Sequence, residues 1–172
     1  MAAREYSLVF GAGDIGLMGE CARAVHKGGG KVIGVIPEAL NKQGIYYPHC
    51  DQMHVTQTMR ERKQMMEELA CGFIALPGGF GTLEEVLEII TLKQLRYHTK
   101  PIVLLNVGGF YNALIEQFKR TIAENFAKAA SRALYYITNN EVDAVEYIKN
   151  YVHVPIAEKW LTATDPRPER VH

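Results

Sequence analysis

Residues 8–16 read LVFGAGDIG, and residues 17–29 continue as LMGECARAVHKGG. A short apolar run ends in G-x-G-x-x-G and passes directly into a stretch of helical periodicity. Strand, glycine turn and helix in that order mark a nucleotide-binding α/β unit. The glycines let the backbone turn tightly and approach a phosphate at the helix start. The next apolar run, KVIGVIPE at 31–38, ends in Glu38. That is about the distance, roughly 20 residues, at which a dinucleotide fold places a ribose-binding acid. Two chemistries stay open at this point: a nicotinamide cofactor, or a phosphate held for some other reaction.

Working outward, apolar runs at 7–11, 32–37, 53–57, 72–76, 101–106 and 134–138 alternate with helical patterns at 15–28, 58–70, 82–97, 110–125 and 140–150. Runs that are apolar on both faces predict an α/β fold, a Rossmann-like parallel sheet with helices on both faces. A single domain is expected over 1–160, with 161–172 as a flexible C-terminal tail. Lys+Arg and Asp+Glu are both 19, so there is no basic excess to attract nucleic acid or an anionic membrane. No apolar run approaches the roughly 18 residues of a membrane span, and no secretory pattern opens the chain. Cys21, Cys50 and Cys71 form no C-x-x-C pair, which predicts reduced thiols and a cytoplasmic protein. His49, Cys50, Asp51 and His54 meet no zinc spacing, so no metal site is expected. Cys71 and Met18 read as packing residues.

A second glycine turn, LPGGFGTLEEV at 76–86, also follows a strand and opens a helix. Gly78, Gly79 and Gly81 permit close approach, and a helix starting near Thr82 would offer amides and its positive dipole end to an anion. Thr82 and Glu85 also fit a capping box, Thr82 as N-cap and Glu85 reaching back to the backbone. Leu83, Val86, Leu87 and Ile90 form one apolar stripe on this helix, while Ile89 and Leu92 form a second, beginning at Glu85. A helix apolar on two sides predicts a covering partner subunit, hence a homodimer. Glu85 would then be a partly desolvated first-turn carboxylate suited to acid–base work. In TMRERKQMMEELA, at 58–70, Arg62 shares a helical face with Met59, Met66 and Leu69. An inward guanidinium needs an anion, either a structural carboxylate or a ligand phosphate.

These stretches, with GGKVIGVIPEAL, FIALPGGFGTLEEVLEIITLKQL and HTKPIVLLNVGGFYNAL, resemble the LOG proteins, the cytokinin riboside 5′-monophosphate phosphoribohydrolases, over about residues 7–150. The R-K pair plus P-G-G-x-G-T-x-x-E carries the resemblance. It implies hydrolysis of the N-glycosidic bond of a cytokinin riboside 5′-monophosphate, or of AMP, to free base and ribose 5-phosphate, with no metal or redox cofactor. The decarboxylase label once attached to such proteins finds no lysine here in a recognisable pyridoxal phosphate setting. By motif, Arg62 and Glu85 match the catalytic pair, with Arg62 keeping Glu85 ionised and oriented. Gly11, Gly13, Met59, Lys63, Gly78, Gly79, Phe80, Gly81, Thr82, Leu83, Glu84 and Thr91 match substrate- or phosphate-contacting positions. The sequence departs from the pattern in lacking the family's N-terminal strand and helix, in Ala12 within a glycine triplet, and in Leu92 and Arg96 within TLKQLRYH. A non-catalytic nucleotide-binding or carrier protein of the same superfamily is the alternative, and an NAD(P)-binding oxidoreductase a further one.

Overall fold

The computed structural model describes residues 6–42 and 44–155, so the tail expected at 161–172 lies outside the described residues. Its contacts divide between Ala70 and Cys71 into two compact units. The parallel pairing follows the same division, as two three-stranded sheets.

In the first unit β1 (Leu8–Phe10), β2 (Val32–Pro37) and β3 (Gln52–Thr56) lie in that order, all parallel. Helix α1 (Gly16–Lys27) follows β1, and α2 (Met59–Leu69) follows β3. Ala22 and Val25, one turn apart on α1, pack with Phe10, Val32 and Tyr47 in the core of this unit. At the amino end of β2, the Asp51 carboxylate accepts the Val32 N–H at 2.7 Å and meets His26 Nε2 at 2.9 Å. Those two contacts hold the Asp51 carboxyl below the usual carboxylate range.

In the second unit β4 (Phe73–Ala75), β5 (Ile102–Leu105) and β6 (Tyr136–Thr138) are parallel with β5 in the middle. Helices α3 (Phe80–Gln94), α4 (Asn112–Ala123) and α5 (Glu141–Asn150) complete it. The four residues of β5 show why its run is apolar throughout. Ile102 and Leu104 join a cluster with Val86 of α3 and with Tyr111, against which Leu114, Ile115 and Phe118 of α4 also pack. Val103 and Leu105 join a different cluster with Ala144, Tyr147 and Ile148 of α5. Side chains two apart share a face, so α3 and α4 cover one face of this sheet and α5 the other. Fully burying such an aliphatic side chain stabilises by about 1.5–3 kcal/mol.

All six strands and five helices stand where the hydrophobic patterning predicts them. Short 3-10 helices at Glu38–Leu40, Val107–Gly109 and Ala129–Leu134 are additions. Three packing expectations need correction. Cys71 is exposed, in the connection just before β4, and Met18 is exposed in the first turn of α1. On α3, Ile89 packs into the core while Leu87 is 41% exposed. The exposed apolar residues are Phe80 and Leu87 on that helix and Leu95 at its C-cap; Ile89 is not among them, and Leu92 is half-buried. The early start of the helix, described below, does not change this register; Ile89 simply lies close enough to Val86 and Ile90 to share their face.

Helix α3 ends in a Schellman turn, with the Tyr97 N–H on the Leu92 carbonyl at 3.0 Å and the Arg96 N–H on the Lys93 carbonyl at 3.0 Å. Arg96 occupies the left-handed position of that turn, at φ 67°. A side chain there costs roughly 1–2 kcal/mol that glycine avoids. Arg96→Gly is therefore expected to raise stability by about 1 kcal/mol, visible as a higher denaturation midpoint at unchanged m. A lower midpoint would show that Arg96 side-chain contacts outweigh the backbone strain.

Candidate active site

In the first unit Gly11 and Gly13 follow the carboxyl end of β1, and the Arg62 guanidinium lies against Gly11. The segment Gly11–Asp14 is fastened to the chain at 45–47: the Tyr47 N–H donates to the Ala12 carbonyl at 2.8 Å, and the Asp14 N–H donates to the Ile45 carbonyl at 3.0 Å. Ala12 is fully buried with φ 59°. A Cβ on Gly13 would meet the Met18 methyl at 2.5 Å. Part of this turn's amide capacity is thus spent inside the protein. Glu38, the acid that kept a dinucleotide in view, is exposed in the single turn after β2.

Arg62 points inward as its spacing predicts; it is 8% exposed, and its Nε donates to the Val35 carbonyl of β2 at 3.2 Å. Local sequence fixes its height on the helix. Thr58 caps α2, its Oγ1 accepting the Glu61 N–H at 3.1 Å, while the Glu61 carboxylate accepts the Gln57 N–H at 2.8 Å and the Thr58 N–H at 3.4 Å. This T-x-x-E box, which sequence reasoning passed over, sits one residue before the arginine and sets the helix start. Lys63 is partly buried beside it. Met59, at the first helical position, and Leu69, at the last, are both exposed, so the inward face of α2 is narrower than its apolar spacing suggests.

In the second unit the turn 77–79 leads into α3 earlier than expected. The helix begins at Phe80 with Gly79 as its N-cap, and no side chain caps it. Thr82 is thus the third helical residue rather than the cap, and Glu85 is the sixth, in the second turn, so the predicted Thr82–Glu85 capping box does not form. The physical reason lies at Gly78. The Thr82 side chain packs over it, and a Cβ there would lie 2.9 Å from Thr82 Cβ and nearer still to Oγ1. Thr82 Oγ1 therefore serves this packing. Gly79 and Gly81 differ from Gly78: a Cβ on either would meet no atom within 4 Å, and neither has positive φ. Phe80 between them is 91% exposed. Leu83 packs against the core, Glu84 is exposed, and Glu85 is partly buried. Thr91 is exposed, its hydroxyl donating to the Leu87 carbonyl at 2.8 Å.

Two residues that spacing alone did not single out shape this end of the second sheet. Tyr111, 1% exposed, donates its hydroxyl to the Leu76 carbonyl at the entry to the glycine turn. Asn106, just past β5, accepts the Tyr111 N–H at 2.7 Å and donates to Asn112 Oδ1 at 2.8 Å. Burial pushes the Tyr111 phenol above its ordinary value, so it stays a donor to the carbonyl well past neutrality. The signal available was the glycine pair after β5, whose Gly108 and Gly109 have φ 60° and 76°. Among the described residues no group of three or more His, Cys, Asp or Glu could hold a metal ion. No helix among them is long and apolar enough to cross a membrane.

Parallel strands that feed glycine turns into helix starts, with helices packed on the sheet, define a Rossmann-like α/β protein. Solved structures share the fold: the molybdenum cofactor binding protein of Rippkaea orientalis superposes with a TM-score of 0.64 at 22% identity, over 86% of this chain and 78% of that one. The molybdenum cofactor carrier protein of Chlamydomonas reinhardtii gives 0.61 at 23% over the same shares. Residues 18–148 match the family model described as possible lysine decarboxylase. The chain is 39% identical to the cytokinin riboside 5′-monophosphate phosphoribohydrolase LOG2 of Arabidopsis thaliana, over 96% of its own length and 79% of the relative. It is 45% identical to the probable phosphoribohydrolase LOG4 of Oryza sativa subsp. japonica, over 81% of its own length. It spans 61% of that relative. The chain belongs to the LOG family.

Proposed function

We propose that this protein hydrolyses the N-glycosidic bond of a cytokinin riboside 5′-monophosphate, or of AMP, releasing the N6-substituted adenine or adenine and ribose 5-phosphate. The observation that carries this reading is the start of α3. A Cβ on Gly79 or Gly81 would meet no neighbour within 4 Å, and neither has positive φ. Glycine suits Gly79 as the N-cap, but Gly81 is the second helical residue, where glycine costs about 0.5–1 kcal/mol relative to alanine. Both flank a helix N-terminus without a side-chain cap. Bare backbone at a positive helix end is suited to a phosphate that must come close. Relatives named as phosphoribohydrolases supply the rest of the reading.

In the proposed reaction the 5′-phosphate is held by the turn at 78–82, with Phe80, Leu83, Glu84 and Thr91 contributing to the binding surface; Gly11, Gly13, Met59 and Lys63 are carried over as substrate-contacting positions by motif alone. As the C1′–N9 bond lengthens, its electron pair moves to the base and positive charge grows on the ribose. The Glu85 carboxylate stabilises that charge and orients water, whose oxygen bonds to C1′ while a proton passes to the departing base. Arg62 is the cation of the catalytic pair and binds the nucleotide. The exposed Leu87 on α3 and Leu95 at its C-cap supply the apolar surface for a homodimer, and the reaction belongs in the cytoplasm.

The test compares N6-isopentenyladenosine 5′-monophosphate, AMP and the corresponding nucleosides, with free base measured by chromatography. Base release from a nucleotide, and at least 100-fold slower release from its nucleoside, is the expected result. Saturable nucleotide binding without turnover would overturn hydrolysis in favour of a nucleotide carrier.

A further inference from the structure

We infer that the first glycine turn serves chiefly as the seat of the Arg62 guanidinium, and that Gly11 is a positioning residue for it. This deepens the reading above, which gave Gly11 to the substrate. The direction in which a side chain would leave Gly11 is occupied: a Cβ there would lie 2.9 Å from Arg62 Cζ and 3.4 Å from Nε, and would overlap the terminal nitrogen. Gly11 has no positive φ, so its backbone conformation alone does not demand glycine. The guanidinium does.

The two sides differ in how readily they yield. On one side the turn is fixed by the two backbone bonds to Ile45 and Tyr47 and by buried Ala12. Ala12 in turn rests over Gly34 of β2, where an added Cβ would be 2.9 Å from the Ala12 methyl and 2.9 Å from Cys50 Sγ. On the other side Arg62 is held at Nε by the Val35 carbonyl, on a helix whose start is set by the Thr58–Glu61 box. Adding one methyl at residue 11 must therefore expel the guanidinium from its seat, since a flexible side chain moves at less cost than fastened backbone.

The test uses Gly11→Ala in the wild-type and Arg62→Ala backgrounds, and Gly11→Ala with Arg62→Lys. Thermal denaturation is expected to show a lower midpoint for Gly11→Ala alone, no further drop when Arg62→Ala is already present, and recovery with Arg62→Lys, whose head group is narrower. Labelling with phenylglyoxal, mapped by mass spectrometry, is expected to leave Arg62 protected in the wild type and to modify it in Gly11→Ala, with the labelling of exposed Arg23 unchanged. Both readouts are independent of turnover, so they stand or fall separately from the proposed reaction. Where base release is measured, Gly11→Ala and Arg62→Ala should lose activity to the same extent and the double variant no more. An equal drop in midpoint in both backgrounds, or Arg62 still protected in Gly11→Ala, would overturn the inference.

Discussion

Glu85→Gln is expected to slow base release roughly 1,000-fold while leaving the fold intact. The substitution keeps shape and hydrogen-bonding size and removes only the negative charge, which in the proposed reaction faces the developing oxocarbenium. Removing one such electrostatic contact costs about 10²–10³ in rate, and loss of acid–base assistance a similar factor. Glu85 is the sixth residue of α3, past the orphan amides of the first turn, so it carries no capping duty whose loss would weaken the helix. Single-turnover base release and the denaturation midpoint should therefore separate: the first collapses, the second moves by about 1 kcal/mol or less. Turnover within a few-fold of wild type would remove Glu85 from the chemistry.

Lys93→Met carries the second large expectation, and it concerns stability. Lys93 lies in the last turn of α3, 3% exposed, and its Nζ finds no hydrogen-bond partner. The Tyr151 ring compensates it in part, with Nζ 4.7 Å from the centroid. Burial lowers its pKa to about 8. The folded state thus holds this proton less tightly than the unfolded chain, and folding at neutral pH carries a penalty. That penalty is complete below pH 8 and relaxes as pH rises toward the ordinary lysine value. At roughly 1.4 kcal/mol per unit its upper bound is about 3.5 kcal/mol. Replacing the side chain with methionine, similar in volume and without charge, is expected to stabilise by about 2 kcal/mol at pH 7. The advantage over wild type should largely disappear between pH 7 and 9.5. Burial in whole or in part raises Tyr111, Tyr135 and Tyr147 of this unit above the ordinary tyrosine value, so they do not blur that window. A destabilised Lys93→Met protein, or a pH-independent difference, would show that the ammonium is better compensated than its surroundings indicate.

The fold was legible because parallel strands buried on both faces leave apolar runs such as Ile102–Leu105, and because strand–glycine–helix order is written locally. The inward turn of Arg62 was legible too, from helical spacing alone. The start of α3 was not. T-x-x-E occurs both at Thr58–Glu61 and at Thr82–Glu85, and only the first is a capping box. What decides is Gly79, which takes the cap position by backbone conformation and leaves Thr82 to pack over Gly78, a choice that sequence spacing cannot rank. The same holds for the glycines. Both turns are glycine-rich at a strand end, yet Gly11 and Gly78 answer to neighbouring side chains while Gly79 and Gly81 face open space. The buried tyrosine hydroxyl on the Leu76 carbonyl joins residues 35 apart and depends on packing that no local pattern encodes.

The central claim is cleavage between base and sugar with the phosphate ester left whole. Phosphorus-31 NMR of N6-isopentenyladenosine 5′-monophosphate with the wild-type protein follows that ester directly. The account predicts conversion of the nucleotide resonance to that of ribose 5-phosphate, with free base appearing mole for mole and no inorganic phosphate. Inorganic phosphate together with intact nucleoside, or an unchanged nucleotide resonance with active protein in excess, would contradict it.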